Sequence, residues 1–464
     1  MHALEKMKAI QQEIFRAYDI RGIVDQDFDE EWIEQFGRAC GTWFQKQGWP
    51  QAVVGHDCRT TSPAYQTALI NGLLATGMNI VALDMVPTPV FYYAIKHLNC
   101  QAGVIITASH NPSQYNGLKI WGGEGTIHTD QIQRLYATMC SGLFTQGRGT
   151  VSFLNIVPSY LQELTNQIQL ARPLKIVVDG GNGSGGKICA ELLRQAGAEV
   201  VELYCEPDGN FPHHHPDPTI EKNITDLKVA VTREKADFGL GLDGDADRIG
   251  IVDEQGKTIY SDRLLALFAR QVLDKHPGAT IIGEVKCSHL VYKDIAEHSG
   301  KPIMAATGHS LIKARMRETN ALLAGEMSGH IFFADNYYGF DDALYAALRL
   351  SQILSETNRP LSSFWNTWQP TVSTPEIRVD CKSGQEKKIM ELAKNAFCAR
   401  YQPPVLQQTD GIRLNFADGW GLLRASNTQP SLVMRFEADS PQRLKEIQEL
   451  IEKPVCKWLK ETAE

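Results

Sequence analysis

The chain has 464 residues, 43% hydrophobic and 22% charged, and a formal net charge of -8. That is the composition of a folded globular protein of several domains at about 150 residues each, without the basic surplus that a nucleic-acid partner demands. Its ten cysteines contain no C-x-x-C pair, which argues against a disulfide framework and a zinc site. No apolar run is long enough for a membrane span, and the leader from Met1 to Glu13 carries charges throughout, so a cytoplasmic protein is expected.

In chain order, three segments repeat one pattern: an apolar strand, a polar loop, an amphipathic helix ending at a glycine, and a second apolar strand. They run from AVVGHDCRTTSP to ALINGLLATGMNIVALD (52–84), from LKIVVDGGNGSGG to ICAELLRQAGAEVVELY (174–204), and from ATIIGEVKCSH to LVYKDIAEHSGKPIMAA (279–306). Each predicts a β-loop-α-β unit, the building block of parallel or mixed sheets covered by helices. Their recurrence predicts three related α/β domains made by duplication. Beyond about residue 370 the text changes to VSTPEIRVD, a helix near 384–399, then DGIRLNF, WGLLRAS, SLVMRFEA and a charged closing helix. Strands alternating with helices but without glycine-rich loops predict a smaller α+β domain. The fold class expected is α/β, with domains at 1–154, 155–257, 258–369 and 370–464 and linkers near 150–158, 255–262 and 368–370.

Four stretches carry chemistry. In GVIITASHNPSQYNGLKI (103–120) a buried strand opens straight into Ser109, His110 and Asn111, with Lys119 close behind. A serine on a tight loop suits a nucleophile or a covalent phosphate carrier, which needs cations and backbone donors around it. Taken alone, it reads as an ordinary capping serine. In DGDADR (243–248), Asp243, Asp245 and Asp247 alternate after an apolar strand, so three carboxylates can converge on one hard cation. Oxygen ligands alone suit Mg²⁺ or Mn²⁺ and leave room for a phosphate oxygen. An EF-hand opens in the same way but needs a glycine where Arg248 stands, and Arg248 suits the phosphate instead. In GEMSGH (325–330), Glu326 among small residues with Ser328, Gly329 and His330 offers partners to a polyol, or equally a helix cap. In RASNTQP (424–430), Arg424, Ser426, Asn427 and Thr428 form either a phosphate nest or a polar hairpin turn.

A fifth stretch points elsewhere. Gly181, Gly183 and Gly186 in DGGNGSGGKICAELL fit G-x-G-x-x-G between a strand and a helix, with Glu202 at the end of the next strand. That is the context of a dinucleotide fold and makes an NAD-dependent oxidoreductase the alternative of another class. A P-loop fails because Ile188 occupies the hydroxyl position, and the oxidoreductase reading leaves the aspartates without a task.

TASHNP with YNGLKI, DGDADR, GEMSGH and RASNTQP, in this order and roughly one per domain, resemble the motifs of the α-D-phosphohexomutase family. GEMSGH and GHSLIK look most like its bacterial phosphomannomutase/phosphoglucomutase branch, and the likeness extends through FRAYDIRG (15–22), VPTPVFY (86–92), DGNFPHHHPDP (208–218) and EVKCSH. The resemblance implies four domains around a central cleft. It implies reversible phosphoryl transfer between the 1- and 6-positions of mannose and glucose phosphates, through a phosphoserine and a hexose 1,6-bisphosphate. Ser109 would be the phosphoserine, with Mg²⁺ on its phosphate and on Asp243, Asp245 and Asp247, and glucose 1,6-bisphosphate as activator. Arg21, His110 and Arg248 would support the phosphoserine, and Lys119 and His309 are the candidates for acid and base.

By the same resemblance Tyr18, Arg248, Lys286, His309 and the run Glu326, Met327, Ser328, Gly329, His330 would contact substrate. Arg424, Ala425, Ser426, Asn427 and Thr428 would grip the phosphate that is not reacting. Glu326 and Ser328 would meet the 3- and 4-hydroxyls, which mannose and glucose share, so dual specificity is expected. In that family the glycine-rich loop is structural, and His213, His214 and His215 form a connecting loop rather than a metal site. Hexose phosphates are the expected partners, with no nucleic acid or membrane, on a monomer or weak dimer. Alternatives are a phosphoglucosamine mutase, against which Met327 speaks, and a metal-dependent sugar phosphatase that passes the phosphoryl group to water. One departure from the pattern is Ala246, where many relatives carry glycine; it matters if the backbone there needs a positive φ.

Overall fold

A computed structural model describes residues 8–382, 384–426 and 430–462. The chain divides into two compact units, one from the stretch up to Leu264 with Ser328–Phe364, the other from Leu265–Met327 with the stretch from Trp365 onward. Among the described residues no helix is long and apolar enough to cross a membrane.

All three repeats form as expected, each as strand, helix and parallel strand. They are Gln51–His56, Ser62–Leu74 and Asn79–Met85; Lys175–Asp179, Gly186–Gln195 and Glu199–Leu203; and Thr280–Glu284, His289–Glu297 and Lys301–Ala305. In the first unit one sheet runs in the order Ile20–Ile23, Tyr115–Gly122, Ala102–Ile106, Gln51–His56, Asn79–Met85, Val151–Phe153. The second runs Thr258–Ile259, Ile249–Asp253, Phe238–Leu242, Lys175–Asp179, Glu199–Leu203. Both are mixed, with antiparallel pairs in the first half of each order and parallel pairs in the second. Ala102–Ile106 is buried along its whole length, and Val104 and Ile106 join a core with Trp32, Phe36 and Leu118. Burial of each such side chain contributes about 1.5–3 kcal/mol, which fixes the strand from which the serine loop springs.

The expected linker near 150–158 is in part a strand. Val151–Phe153 pairs in parallel with Asn79–Met85 as an edge strand, exposed at all three residues, so it lacks the alternation that marks a half-buried strand in a sequence.

In the second unit Thr280–Glu284 lies between Lys301–Ala305 and Leu323–Gly325, parallel to both. The C-terminal sheet is antiparallel, in the order Val372–Ser373, Ser431–Ala438, Gly419–Ala425, Ile412–Phe416, Leu406–Gln407, with Ile377–Asp380 also on Ser431–Ala438. Helices Gln385–Cys398 and Pro441–Glu461 pack on it through Ile389, Ala393, Ile447 and Ile451.

The motifs therefore share a position in the topology. Ser109 follows the carboxyl end of Ala102–Ile106, Asp243 that of Phe238–Leu242, Lys286 that of Thr280–Glu284, and Glu326 that of Leu323–Gly325. Ligands of α/β sheets bind beyond the carboxyl ends of the strands, where loops carry unpaired backbone groups.

Candidate active site

The serine loop is held from beneath by one arginine. Arg59, only 1% exposed, donates through Nη1 to the carbonyls of Pro112 (2.7 Å) and Tyr115 (2.8 Å) and through Nη2 to those of Ser109 (2.8 Å) and Asn111 (2.6 Å). Its Nε pairs with Asp57 at 3.2 Å. Ser109 itself has φ +50°, a conformation that L residues adopt at a cost of about 1–2 kcal/mol and keep only where surroundings enforce it. Its amide donates to Thr107 Oγ1 at 2.9 Å. The hydroxyl donates to Asp243 Oδ2 at 2.6 Å, and with its proton committed there it accepts from His110 Nδ1 at 3.1 Å. Burial, with Arg248 and Arg21 nearby, pushes the His110 imidazole well below its usual range. Arg21 donates to Asn111 Oδ1 at 2.6 Å and is itself held by Asp19 at 2.7 Å. Tyr18 is half-buried in the bend just before Asp19.

Asp243, Asp245 and Asp247 are buried and offer carboxylate oxygens that all lie within 4.8 Å of one another. Asp245 Oδ2 takes donors from Lys119 (2.7 Å), Thr88 (2.6 Å) and Thr107 (3.2 Å), while its buried Oδ1 has no hydrogen-bond partner. Burial and the two neighbouring carboxylates raise Asp243 well above the usual carboxylate range. Asp247 is held well below that range, against burial, by Lys119, His330 and Arg248. Lys119 is raised in turn, its two carboxylate partners outweighing burial. An oxygen-only donor set with a partnerless buried oxygen and surplus negative charge fits a hard divalent cation.

Ala246 takes φ +55° in this loop, so the departure noted in the sequence falls where glycine would be unstrained. The glycine-rich loop is the support of the aspartate loop. Ser184 donates through N and Oγ to the Gly244 carbonyl at 3.0 and 3.1 Å, and a Cβ on Gly183 would meet that oxygen at 2.7 Å. Glu202, the residue that would bind a ribose, instead pairs with Arg194 (2.6 Å) and Lys187 (3.0 Å). In the histidine loop His214 bonds the Asp179 carboxylate at 3.1 Å and His213 bonds Asn182 at 2.7 Å.

The end of GEMSGH returns to the aspartates. Gly329, at φ +98°, accepts from Ile249 N at 3.1 Å, a close backbone approach that a Cβ would block at 2.8 Å. It sets His330 Nε2 3.2 Å from Asp247 Oδ1 and 3.2 Å from Arg248 Nε, with Ser328 Oγ 3.2 Å from Nδ1. Asp341 also offers a buried carboxylate within 4.8 Å of the His330 and Asp247 atoms.

The second unit carries its own set. Lys286 Nζ donates to Glu376 at 3.1 Å. Glu326 Oε1 accepts from Gly308 N at 2.7 Å, and His309 Nδ1 lies 3.2 Å from Lys313 Nζ, so the ammonium fixes that nitrogen as the acceptor. Met327 donates its amide to Glu284 at 3.2 Å. Arg424 donates through Nε to Asp410 at 2.8 Å, while its buried Nη2 has no hydrogen-bond partner. Asp410 also accepts from Thr307 N at 3.0 Å. Ala425 ends its strand, Ser426 N donates to Ser431 O at 2.8 Å, and Asn427 and Thr428 lie outside the described residues.

Arg59, Thr88, Asp341, Glu284, Glu376 and Asp410 were not singled out in the sequence. The available signal is the repeat itself: each β-loop-α-β unit places an acid where its first strand ends, at Asp57, Asp179 and Glu284, and Arg59 and Lys286 follow two residues later.

A hydroxyl on a tight loop beside converging carboxylates is the equipment of enzymes that transfer phosphoryl groups with a divalent cation. Comparison with known proteins names the class. Three profiles described as "Phosphoglucomutase/phosphomannomutase, alpha/beta/alpha domain" I, II and III match residues 12–145, 158–256 and 260–371, and one described as "Phosphoglucomutase/phosphomannomutase, C-terminal domain" matches 376–453. A Pseudomonas putida phosphomannomutase/phosphoglucomutase is 44% identical over 95% of each chain. A Neisseria gonorrhoeae phosphoglucomutase is 42% identical over 95% of this chain and 96% of its own. A Burkholderia thailandensis phosphoglucomutase/phosphomannomutase family structure superposes with a TM-score of 0.90 at 40% identity, covering 97% of this chain and 98% of that one. The protein is a phosphohexomutase-class enzyme, an isomerase of carbohydrate metabolism. It belongs to the phosphoglucomutase/phosphomannomutase family.

Proposed function

We propose that the protein interconverts the 1- and 6-phosphates of both mannose and glucose through a phosphorylated Ser109. The observation that carries this reading is the Ser109 hydroxyl donating to Asp243 at 2.6 Å, beside an Asp245 oxygen left without a partner. The phosphoryl group passes from Ser109 Oγ to the free sugar hydroxyl and leaves a hexose 1,6-bisphosphate. The other phosphoryl group of that bisphosphate returns to Ser109 and releases the isomeric monophosphate. Asp243, Asp245, Asp247 and a phosphoserine oxygen would hold Mg²⁺, which when bound would neutralise the transferring charge. Glucose 1,6-bisphosphate loads an unphosphorylated Ser109 and so activates.

Arg21, His110 and Arg248 orient the phosphoserine. Lys119, kept protonated by two carboxylates, serves as charge and proton donor rather than base. His309, with Lys313 on Nδ1, carries its exchangeable proton on Nε2. Tyr18, Lys286 and the stretch from Glu326 to His330 contact the sugar, and Glu326 and Ser328 take the 3- and 4-hydroxyls that both hexoses present alike. The partnerless Nη2 of Arg424 supports the non-reacting phosphate as the ligand of that loop. Domains 1–154, 155–257, 258–369 and 370–464 carry one of these motifs each. A cytoplasmic monomer or weak dimer completes the reading.

Phosphorus NMR tests it with Mg²⁺, a trace of glucose 1,6-bisphosphate, and mannose 1-phosphate or glucose 1-phosphate in parallel tubes. The 6-phosphate is expected in both tubes. Conversion of one sugar alone refutes dual specificity, inorganic phosphate means a phosphatase, and no change in either tube with turnover of glucosamine 1-phosphate in a third means the amino-sugar enzyme.

A further inference from the structure

The three repeats share a turn device, and its third copy has been extended. Asp57, Asp179 and Glu284 each accept the backbone N–H two residues further on, from Arg59 at 3.0 Å, Gly181 at 3.0 Å and Lys286 at 2.9 Å. An acidic side chain that bonds the backbone two residues ahead closes a turn, and a short aspartate is enough for it. Glu284 has one more methylene and is fully buried. Its carboxylate reaches two further segments: Oε2 accepts from Thr307 Oγ1 at 2.9 Å, and Oε1 accepts from Met327 N at 3.2 Å.

Thr307 leads into Gly308 and His309, and Met327 follows Glu326. The Gly308 amide donates to Glu326 Oε1 at 2.7 Å and closes the circuit. One carboxylate thus joins the three segments that bear Lys286, His309 and Glu326, all within one compact unit. Three donors from three segments converge on one fully buried carboxylate, which would be costly to leave unbonded at this depth.

We propose that Glu284 is a positioning residue for hexose recognition: it sets Lys286, His309 and Glu326 relative to one another before substrate arrives, and its extra methylene is what permits this. The proposal rests on the reading of those three residues as sugar contacts. Because an aspartate already makes the turn in the two sister loops, Glu284→Asp is expected to fold and to melt somewhat below the wild type while losing the reach to Met327. Glu284→Gln keeps the length but brings one carbonyl oxygen to three donors.

In both variants KM for mannose 1-phosphate and glucose 1-phosphate is expected to rise together, by about tenfold to hundredfold, with kcat held. Exchange of the Met327 amide in the free protein is expected to quicken by about tenfold, with strand Asn79–Met85 unchanged. Wild-type KM and wild-type exchange in both variants overturn the proposal. So does a fall in kcat with KM unchanged, which is the mark of lost folded enzyme. If the wild type isomerises neither sugar phosphate, the functional reading fails by itself, and Met327 exchange still decides whether Glu284 holds the segments.

Discussion

Replacing Arg59 by lysine tests what holds the phosphoserine loop in its strained shape. The guanidinium serves four carbonyls in two pairs, Nη1 on Pro112 and Tyr115 and Nη2 on Ser109 and Asn111. A lysine ammonium occupies one of those two places, so two carbonyls lose their donor. Bonds from a charged donor contribute about 1.5–3 kcal/mol each, and water entering the gap returns part, which leaves a loss near the lower end, about 3 kcal/mol. A folded protein has about 5–15 kcal/mol to lose, so the variant folds, and the deficit concentrates at the loop. Ser109 then has less to keep it at φ +50°. Hydrogen exchange reads this directly: protection of the Ser109 and Asn111 amides is expected to fall by about a hundredfold, the equivalent of that loss, while strand Thr280–Glu284 keeps its protection. Turnover should fall by about tenfold or more, because the nucleophile is displaced. Unchanged exchange at both amides with normal turnover would refute the reasoning, since it would mean that the fork is not what holds the loop.

Asp245→Asn removes the charge that one ligand offers the cation and should lower kcat by about a thousandfold; chelation of Mg²⁺ should do the same to the wild type, reversibly. Glu376, against its burial, is pulled down to about 2 by Lys286 and Arg378. Its folded pKa lies below the unfolded one, so its contribution, about 2–3 kcal/mol, is present above pH ~4.5 and lost as pH falls through ~2. Glu376→Gln should flatten that acid limb in urea midpoints measured against pH. Ala246→Gly relieves about 1–2 kcal/mol of left-handed strain and gives back about 0.4–1 kcal/mol in unfolded-state freedom, so urea denaturation should find it neutral to about 1 kcal/mol more stable. A clear loss of stability would mean that the buried methyl of Ala246 is needed where it sits.

The residues legible in the sequence are those that chemistry needs close together in the chain. Asp243, Asp245 and Asp247 alternate within five residues, and Ser109 and His110 are neighbours, so each set reads as a unit before any fold is known. The β-loop-α-β rhythm was legible because a fully buried strand such as Ala102–Ile106 leaves an unbroken apolar run. What escaped acts at a distance on backbone groups. Arg59 meets carbonyls about fifty residues away, Thr88 meets Asp245, and Asp410 links Thr307 to Arg424, through partners that only tertiary folding selects. The edge strand Val151–Phe153 reads as a linker in the sequence because exposure erases the pattern that marks a strand. The glycine-rich loop imitated a dinucleotide site for a physical reason: close approach to the backbone needs glycine whether what approaches is a pyrophosphate or, as here, the Gly244 carbonyl.

The central claim is that Ser109 carries the phosphoryl group to and from the sugar. The most direct measurement loads the protein with label from glucose 1,6-bisphosphate, locates the labelled residue, and chases it with unlabelled glucose 1-phosphate or mannose 1-phosphate in Mg²⁺. The account predicts label on Ser109 that leaves with either sugar as hexose bisphosphate and then 6-phosphate, and no labelling of Ser109→Ala. Label released as inorganic phosphate, or held on another residue through the chase, would contradict it.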